Sequence, residues 1–167
     1  RAAGATVEYG PTGHSYMKRR LRDTTALAGF EKSAHYYLNP PLGNGYDCAL
    51  TIASHILRRI DGSVGRLSDL VAQLPQSWTS PTMSPTCPDE RKYGVVEHLT
   101  ARLQAMRAAG TPLAGRRITD IVTVNGARVM LDHGGWTLIR ASSNTPNLVV
   151  VCESPDGPAD LRAIFAA

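Results

Sequence analysis

The sequence has few of the features that mark membrane, secreted or metal-stapled proteins. It contains no apolar run long enough to cross a bilayer, and its first residues lack the charged start, apolar segment and cleavage site of a secretory signal. Its three cysteines, Cys48, Cys87 and Cys152, form no Cys-x-x-Cys spacing, which argues against a disulfide framework or a structural zinc site. We therefore expect a protein of the reducing cytoplasm with no membrane partner.

Aromatic residues are also scarce, at 6% of the chain, and they are not interleaved with basic residues as in a nucleic-acid stacking platform. The net charge of +4 and the pI of about 9.2 suit an anionic ligand. A non-enzymatic basic module that binds nucleic acid is the alternative, and the pairs Arg19–Arg20, Arg58–Arg59 and Arg116–Arg117 suggest it. These pairs lie far apart, and no RNA-binding or helix-turn-helix signature accompanies them, so we expect no nucleic-acid partner.

Histidines are scattered along the chain. His55, His98 and His133 fall on predicted helices and a turn, and they have no metal-ligand spacing. We expect no metal to be bound by residues of this chain.

The chain of 167 residues, 43% of them hydrophobic, can form one domain or two small ones. Residues 77–88 are rich in Ser, Thr and Pro and have almost no apolar periodicity, which is typical of a linker. We therefore predict a first domain over residues 1–76, a linker over 77–88 and a second domain over 89–167. In the first domain, Asp47 is the predicted N-cap of an apolar helix over residues 48–60.

The second domain has clearer patterning. Thr86 is predicted to cap a long helix whose apolar stripe contains Val96, Leu99, Leu103 and Met106. Asn125-Gly126 predicts a hairpin between two strands. Further strands over residues 136–139 and 148–152, and a closing helix over 156–165, complete a small antiparallel sheet packed by helices. We expect an α+β protein overall, with an incomplete α/β segment before this α+β domain.

One loop has the composition of an oxyanion site. Arg140 ends a strand, and its planar guanidinium fits two phosphate oxygens at once. Hydroxyl and amide donors follow it, at Ser142, Ser143, Asn144 and Thr145. The pattern favours binding of a phosphate or a nucleic-acid backbone. A serine-rich turn with Arg140 on a solvated face is the plainer alternative.

A second group of polar residues lies in the first domain. Glu31 and Ser33 alternate on a predicted extended segment, so both side chains would lie on one face. By spacing alone this is an ordinary polar strand face, and His35 is equally a buried, hydrogen-bonded histidine. His14 can donate to a phosphate or be a surface turn residue, and Lys18 can add charge there or belong to a solvated basic run.

The chain contains three motifs, Thr12-Gly-His-Ser-Tyr-Met-Lys18, Phe30-Glu-Lys-Ser-Ala-His35 and Arg140-Ala-Ser-Ser-Asn-Thr-Pro146. Together and in this order they resemble motifs of the α-D-phosphohexomutases, and in particular of their bacterial phosphomannomutase/phosphoglucomutase branch. Arg140-Ala-Ser-Ser-Asn-Thr-Pro146 is similar to the phosphate-binding loop of that family. Phe30-Glu-Lys-Ser-Ala-His35 resembles its sugar-recognition loop, with Phe30 and Ala34 where glycines are common. Thr12-Gly-His-Ser-Tyr-Met-Lys18 resembles the Gly-His-Ser-x-x-Lys segment that precedes that loop. The Ser-His-Asn-Pro phosphoserine loop and the Asp-x-Asp-x-Asp magnesium loop of the family do not occur here.

The resemblance implies the C-terminal part of an intramolecular phosphotransferase, covering part of domain three and all of domain four. The whole enzyme would interconvert hexose 6-phosphate and hexose 1-phosphate through hexose 1,6-bisphosphate, with Mg²⁺ and a phosphoserine supplied by N-terminal domains. Glu31 and Ser33 would hold the sugar 3- and 4-hydroxyls, and His35 would assist proton movement. His14, Lys18, Arg140 and the loop residues Ser142, Ser143, Asn144 and Thr145 would bind phosphate.

Two further expectations follow from the resemblance. The chain alone should have no mutase activity, because the catalytic loops are not in it. An incomplete domain three would expose a sheet edge and an apolar face, so we expect homo-association through that edge.

Overall fold

The computed structural model describes residues 4–63 and 65–167, and the chain divides into two units, Arg1–Leu74 and Pro75–Ala167. Residues 1–3 and 64 of the predicted first domain lie outside the described residues. Helices and short antiparallel sheets make up both units, which confirms the predicted α+β class. The units are described one at a time.

The first unit contains a small hairpin covered by one helix. Its elements are α1 (His14–Thr24), β1 (Ala28–Phe30), β2 (Tyr36–Leu38), α2 (Ala49–Asp61) and α3 (Leu67–Ala72). Strands β1 and β2 pair antiparallel with Gly29 opposite Tyr37. Leu21 of α1 is buried together with Tyr37 and Leu38, and a Cβ on Gly29 would lie only 2.7 Å from the Leu21 side chain. The hairpin and α1 therefore share a small apolar core.

Helix α2 forms where apolar periodicity predicts it, but none of its residues is buried. Leu50, Ile56 and Leu57 are exposed, and Ile52 and Ile60 are half-buried. The first residue before the helix is Cys48, so the prediction that Asp47 caps it is wrong. Asp47 instead bonds to the turn that follows β1, as described below.

The second unit is a five-stranded antiparallel sheet with two helices packed on it. Its elements are β3 (Trp78–Thr79), α4 (Asp89–Ala108), β4 (Ile118–Val122), β5 (Ala127–Leu131), β6 (Trp136–Ala141), β7 (Leu148–Ser154) and α5 (Pro158–Ala166). The strand order is β3-β7-β6-β5-β4. The turn at Asn125-Gly126 joins β4 to β5, which confirms the predicted hairpin.

The core of this unit lies between one face of the sheet and helices α4 and α5. Strand β5 alternates buried and half-buried residues, as expected for a strand with one covered face. Strands β4, β5 and β6 pack against α4, and strands β6 and β7 pack against α5. The core residues are Leu103, Leu113, Ile118, Ala127, Val129, Leu131, Cys152 and Ile164.

The segment predicted as a linker, residues 77–88, runs along β7 in the second unit. Trp78 and Thr79 pair with Ser154 and Glu153, and Met83 exchanges two backbone hydrogen bonds with Val150. Thr86 forms a bridge with Asn147 and is not the cap of α4, whose N-cap is Pro88. The segment therefore supplies an edge to the sheet through its backbone.

None of the helices in the described ranges combines the length and the hydropathy that crossing a bilayer would require.

Candidate functional site

The first cluster of predicted site residues lies on the turn between β1 and β2. The Glu31 amide donates to the His35 carbonyl and the Ala34 amide donates to the Glu31 carbonyl, both at 3.0 Å. Glu31 and Ser33 lie on this turn and not on the extended segment that was predicted. The turn still brings them together, because the Ser33 hydroxyl donates to Glu31 Oε2 at 3.4 Å. Glu31 Oε1 also accepts from the Gly13 amide at 3.3 Å.

Ala34 occupies the left-handed region with φ of 65°. A residue with a Cβ is disfavoured there by about 1 kcal/mol relative to glycine. The turn thus adopts the conformation that the glycine common at this place in similar motifs would favour, at some cost in stability.

His35 forms a charge-assisted pair with Asp47. The His35 Nδ1 and Asp47 Oδ2 atoms are 2.5 Å apart, and Asp47 Oδ1 accepts from the Tyr36 amide at 3.1 Å. The side chain of His35 is half exposed, so this histidine is hydrogen-bonded but not buried. Because Asp47 engages Nδ1, the imidazole atom left to exchange a proton with a ligand is Nε2.

This pairing shifts the pKa of both groups in the direction that keeps them charged. The hydrogen bond to Asp47 raises the pKa of His35 above 6.5, and the charge of Glu31 adds to the effect. The hydrogen bond from His35 lowers the pKa of Asp47 below 3.8, with further contributions from the Tyr36 amide and the charge of His14. Glu31, His35, Asp47 and His14 therefore form one electrostatically coupled group.

His14 and Lys18 lie one turn apart on α1. The His14 ring packs against the buried Tyr37 ring with centroids 5.6 Å apart. The Lys18 ammonium lies 4.5 Å from the centroid of the Tyr46 ring, a cation–π contact. Lys18 and Tyr46 also line an open groove with Arg22 and Asn39. His14 thus packs against β2 and interacts electrostatically with Asp47, whereas Lys18 contacts Tyr46 in the groove.

The second cluster is the turn between β6 and β7. Arg140 stands opposite Val149 at the end of β6, and its Nη1 donates to the Ala141 carbonyl at 3.2 Å. The tight turn at Gly126 lies against it, since a Cβ built on Gly126 would be 2.6 Å from the Arg140 Cβ. The register of three strands therefore places this guanidinium at the start of the turn.

Ser142 organises the turn that follows. Its Oγ lies 2.9 Å from the Thr145 Oγ1, and it accepts from the Asn144 and Thr145 amides at 3.4 and 3.3 Å. Two backbone N–H groups and the Thr145 hydroxyl thus meet at the Ser142 hydroxyl oxygen, so hydrogen-bond donors that could serve an oxyanion are grouped in this turn. The side chains of Ser143 and Asn144 are exposed at the tip. The structure brings Ser142 and Thr145 together and leaves the other two beside them.

The sequence analysis missed Lys92. This lysine on α4 is buried, and its ammonium donates to the Thr145 carbonyl at 3.1 Å and lies 2.6 Å from Asp89 Oδ1. The signal for it was present: Lys92 lies four residues before Val96 and therefore extends the apolar stripe of the helix by one turn. Because lysine is rarely buried unless it is paired, a lysine at an apolar position of a helix predicts a partner for its ammonium group.

A further group of ionisable residues ties α5 to the sheet. Asp160 Oδ2 accepts from the Ser154 hydroxyl at 2.6 Å and lies 2.9 Å from His133 Nε2, and Asp160 Oδ1 accepts from Arg116 at 2.9 Å. These bonds lower the pKa of Asp160, with Ser154 the largest cause. The carboxylate is therefore held ionised on the inner side of α5.

Among the described residues, one group of potential ligands lies close enough together to hold a metal ion: His133, Asp156 and Asp160. Arg116 already occupies the two carboxylates, at 2.6 Å from Asp156 and 2.9 Å from Asp160. A divalent cation there would have to displace the guanidinium, so these residues do not fit a magnesium site. The group is an ion-pair network that contains a histidine.

The arginine pairs that suggested a nucleic-acid module are partly engaged in ion pairs. Arg20 pairs with Glu8, Arg116 with Asp156 and Asp160, and Arg117 approaches Asp132 at 4.0 Å. These carboxylates offset the positive charge, which weakens the argument for a nucleic-acid surface.

Comparisons with known proteins cover both units of the chain. Residues 1–78 match the family model described as phosphoglucomutase/phosphomannomutase, alpha/beta/alpha domain III, and residues 86–167 match its C-terminal domain. The chain is 28% identical over 153 residues to a phosphomannomutase/phosphoglucomutase of Pseudomonas putida, covering 92% of this chain and 30% of the relative. It is 31% identical over 144 residues to a phosphoglucomutase of Neisseria gonorrhoeae, covering 86% of this chain and 28% of the relative.

A solved structure gives the same answer for the fold. A phosphoglucomutase/phosphomannomutase family protein of Burkholderia thailandensis superimposes with a TM-score of 0.74 at 26% identity, over 94% of this chain and 30% of that one. The chain thus spans about 30% of the length of the relatives that it matches. Two adjoining domain matches and a shared fold lead to one conclusion: the chain belongs to the phosphoglucomutase/phosphomannomutase family.

Proposed function

We propose that the whole protein is an intramolecular phosphotransferase that interconverts hexose 6-phosphate and hexose 1-phosphate through hexose 1,6-bisphosphate. Family membership supports the reaction class, since the relatives are named phosphomannomutase/phosphoglucomutase and phosphoglucomutase. The observation that carries the proposal for this chain is the turn after Arg140, where the Asn144 and Thr145 amides and the Thr145 hydroxyl are grouped around the Ser142 hydroxyl.

In this proposal the second unit binds the non-reacting phosphate group of the sugar substrate. Arg140 donates to two of its oxygens, and Ser142, Ser143, Asn144 and Thr145 supply the remaining donors. The Asn144 and Thr145 amides donate to Ser142 Oγ, and a bound phosphate oxygen would accept from these amides while the Ser142 hydroxyl donates to the phosphate. The donors are already oriented, which lowers the entropic cost of binding.

The first unit recognises the sugar and handles a proton. Glu31 and Ser33 bond the 3- and 4-hydroxyls, while His14 and Lys18 donate to phosphate. His35 takes up or returns the proton of the reacting hydroxyl through Nε2. Its raised pKa makes the imidazole a stronger proton acceptor near neutral pH, where a general base is most effective.

Magnesium and the bisphosphate belong to the whole protein in this proposal. When bound, Mg²⁺ would neutralise charge on the phosphoryl group as it transfers. The group of described residues close enough to hold a metal already contains Arg116, so we assign no metal ligand to this chain. We accordingly propose that the chain alone binds sugar phosphate without turning it over. We also propose that the protein works in the cytoplasm, where free cysteines such as Cys48, Cys87 and Cys152 stay reduced.

Titration of the chain with glucose 1-phosphate and mannose 1-phosphate tests the proposal. We expect saturable amide shifts in residues 140–147 by NMR, and Arg140→Ala should weaken binding by about 1.5 to 3 kcal/mol, the range for a hydrogen bond to a charged group. Arg162→Ala removes an exposed arginine from the same unit and serves as the charge-matched control. If Arg140→Ala and the Arg162→Ala control bind sugar phosphate as tightly as the unsubstituted chain, or are weakened equally, the proposal is contradicted. A coupled assay of the chain should show no mutase turnover.

A further inference from the structure

Lys92 carries a charge in a place where stability alone would favour an apolar residue. Its exposed fraction is only 3%, and it continues the buried stripe that includes Val96 and Leu103. Burying an ammonium costs several kcal/mol unless it is paired, and replacing a buried ion pair by apolar side chains is often neutral or stabilising. The packing of α4 therefore does not explain the charge.

The partners of the ammonium connect α4 to the phosphate turn. Asp89, one turn earlier on the helix, lies 2.6 Å from Nζ, and the Thr145 carbonyl accepts at 3.1 Å. The Tyr93 ring centroid is 5.3 Å from Nζ, within the range of a cation–π contact. The Thr145 carbonyl also accepts from the Asn147 amide at 2.8 Å, so it is fixed by two donors.

The anchored carbonyl belongs to the residue whose amide takes part in the proposed phosphate site. The Thr145 amide donates to Ser142 Oγ, and the next carbonyl, that of Pro146, accepts from the Cys87 amide at 2.8 Å. Two successive carbonyls of the turn are thus fixed, one by an ammonium and one by a backbone amide. Fixing these carbonyls restricts the orientation of the neighbouring amide donors.

We infer that Lys92 is a positioning residue for phosphate at the turn of residues 142–147. It orients the turn through the Thr145 carbonyl and places a positive charge next to the turn in a region shielded from solvent, where charge acts more strongly. Asp89 offsets part of that charge. This inference rests on the proposed function, because it requires that the turn binds phosphate.

Two substitutions with opposite expected effects test the inference. Lys92→Met keeps the length and apolar character of the stem and removes the charge, so the Kd for glucose 1-phosphate should rise about tenfold, as for a lost charged hydrogen bond. Asp89→Ala releases the ammonium from its carboxylate, so the Kd should fall, by about twofold for an exposed pair partner. A purely structural role in α4 would make both substitutions weaken binding or leave it unchanged.

Arg91→Met is the matched control, because it removes an exposed positive charge from the same turn of the helix. Equal affinity of Lys92→Met and the unsubstituted chain would overturn the inference while leaving the proposed function intact. An unsubstituted chain that binds no glucose 1-phosphate would overturn both. If Lys92→Met does not fold, Asp89→Ala and the ¹⁵N resonance of the Lys92 ammonium decide: we expect this resonance to shift as ligand is added, and an unmoved resonance with unchanged Asp89→Ala affinity would overturn the inference.

Discussion

His35 and Asp47 form a pair whose stability depends on pH in two directions. Because the pKa of His35 is raised in the folded state, its contribution to the free energy of unfolding is complete below pH 6.5 and is lost as pH rises through the folded pKa. The lowered pKa of Asp47 means that its contribution is present above pH 3.8 and is lost as pH falls through the folded pKa. The pair therefore holds the turn best between these limits, where both members are charged.

Replacing Asp47 by Asn should lower the pKa of His35 toward 6.5, since the largest cause of the shift is the hydrogen bond to this carboxylate. NMR titration of the His35 ring protons measures the change directly. Asp61→Asn, at the exposed end of α2, is the matched control and should leave His35 unaffected. An unchanged His35 pKa in Asp47→Asn would mean that the pair does not persist in solution.

At the scale of single residues, the sequence motifs located the turn of Glu31, Ser33 and His35 but not its closest partner. Asp47 has the usual signature of an N-cap before an apolar helix, and only tertiary structure shows that its carboxylate bonds to His35 instead. The sequence analysis missed Lys92 for a different reason. A helical period identifies the buried stripe, but it cannot show which loop meets a polar residue on that stripe.

At the scale of elements, the hairpin between β4 and β5 sets the place of Arg140. Gly126 has φ of 79°, and a Cβ there would lie 2.3 Å from the Ile139 carbonyl oxygen and 2.6 Å from the Arg140 Cβ. Both the backbone conformation and the space beside β6 therefore require glycine. The turn of one hairpin supports a functional side chain on the next strand.

Gly126→Ala should destabilise the second unit by more than about 1 kcal/mol, because positive φ and a backbone clash act together. The displaced Arg140 should also bind glucose 1-phosphate more weakly. Urea denaturation and the NMR titration measure the two effects. Gly110→Ala has a similar φ of 68° with nothing within 4 Å of the Cβ, so it isolates the conformational cost. Equal effects of the two substitutions on stability and binding would contradict the argument.

Helix α5 is tied to the sheet by the ionised Asp160. Its lowered pKa means that the stabilisation is present above pH 3.8 and disappears as pH falls through the folded pKa. Asp160→Asn should therefore cost about 2 kcal/mol at neutral pH and less in acid, where the unsubstituted chain loses the same contribution. Chemical denaturation at pH 7 and at a series of decreasing acid pH values provides the comparison. A cost that does not depend on pH would show that the charge of Asp160 is unimportant.

The sequence predicted the strands that have a covered face, but it predicted a linker for residues 77–88, which form an edge of the sheet. Strand β5 alternates as its buried face requires, whereas residues 77–88 have no such period because they join β7 through backbone bonds at Trp78, Ser80 and Met83. A backbone bond leaves no mark on side-chain pattern. Composition rich in Ser, Thr and Pro therefore describes this edge and a linker equally well.

At the scale of the whole molecule, the two units differ in how fully they bury their apolar residues. The second unit has a core shared by the sheet and two helices, whereas α2 in the first unit buries none of its residues. A protein of residues 75–167 should therefore fold by itself and keep the phosphate turn. Its amide spectrum over residues 140–147 should overlay that of the whole chain, and a collapsed, poorly dispersed spectrum would contradict this prediction.

The whole chain should associate through the first unit. Leu50 and Leu57 are 80% and 65% exposed on α2, and such apolar surface drives association unless another surface covers it. Sedimentation should show a concentration-dependent mass for residues 1–167 and a monomer for residues 75–167. Leu50→Lys with Leu57→Lys should reduce the association, whereas Arg58→Lys with Arg59→Lys, which changes the same helix without removing apolar surface, should not. A whole chain that stays monomeric at all concentrations would show that exposed α2 does not bind a second copy.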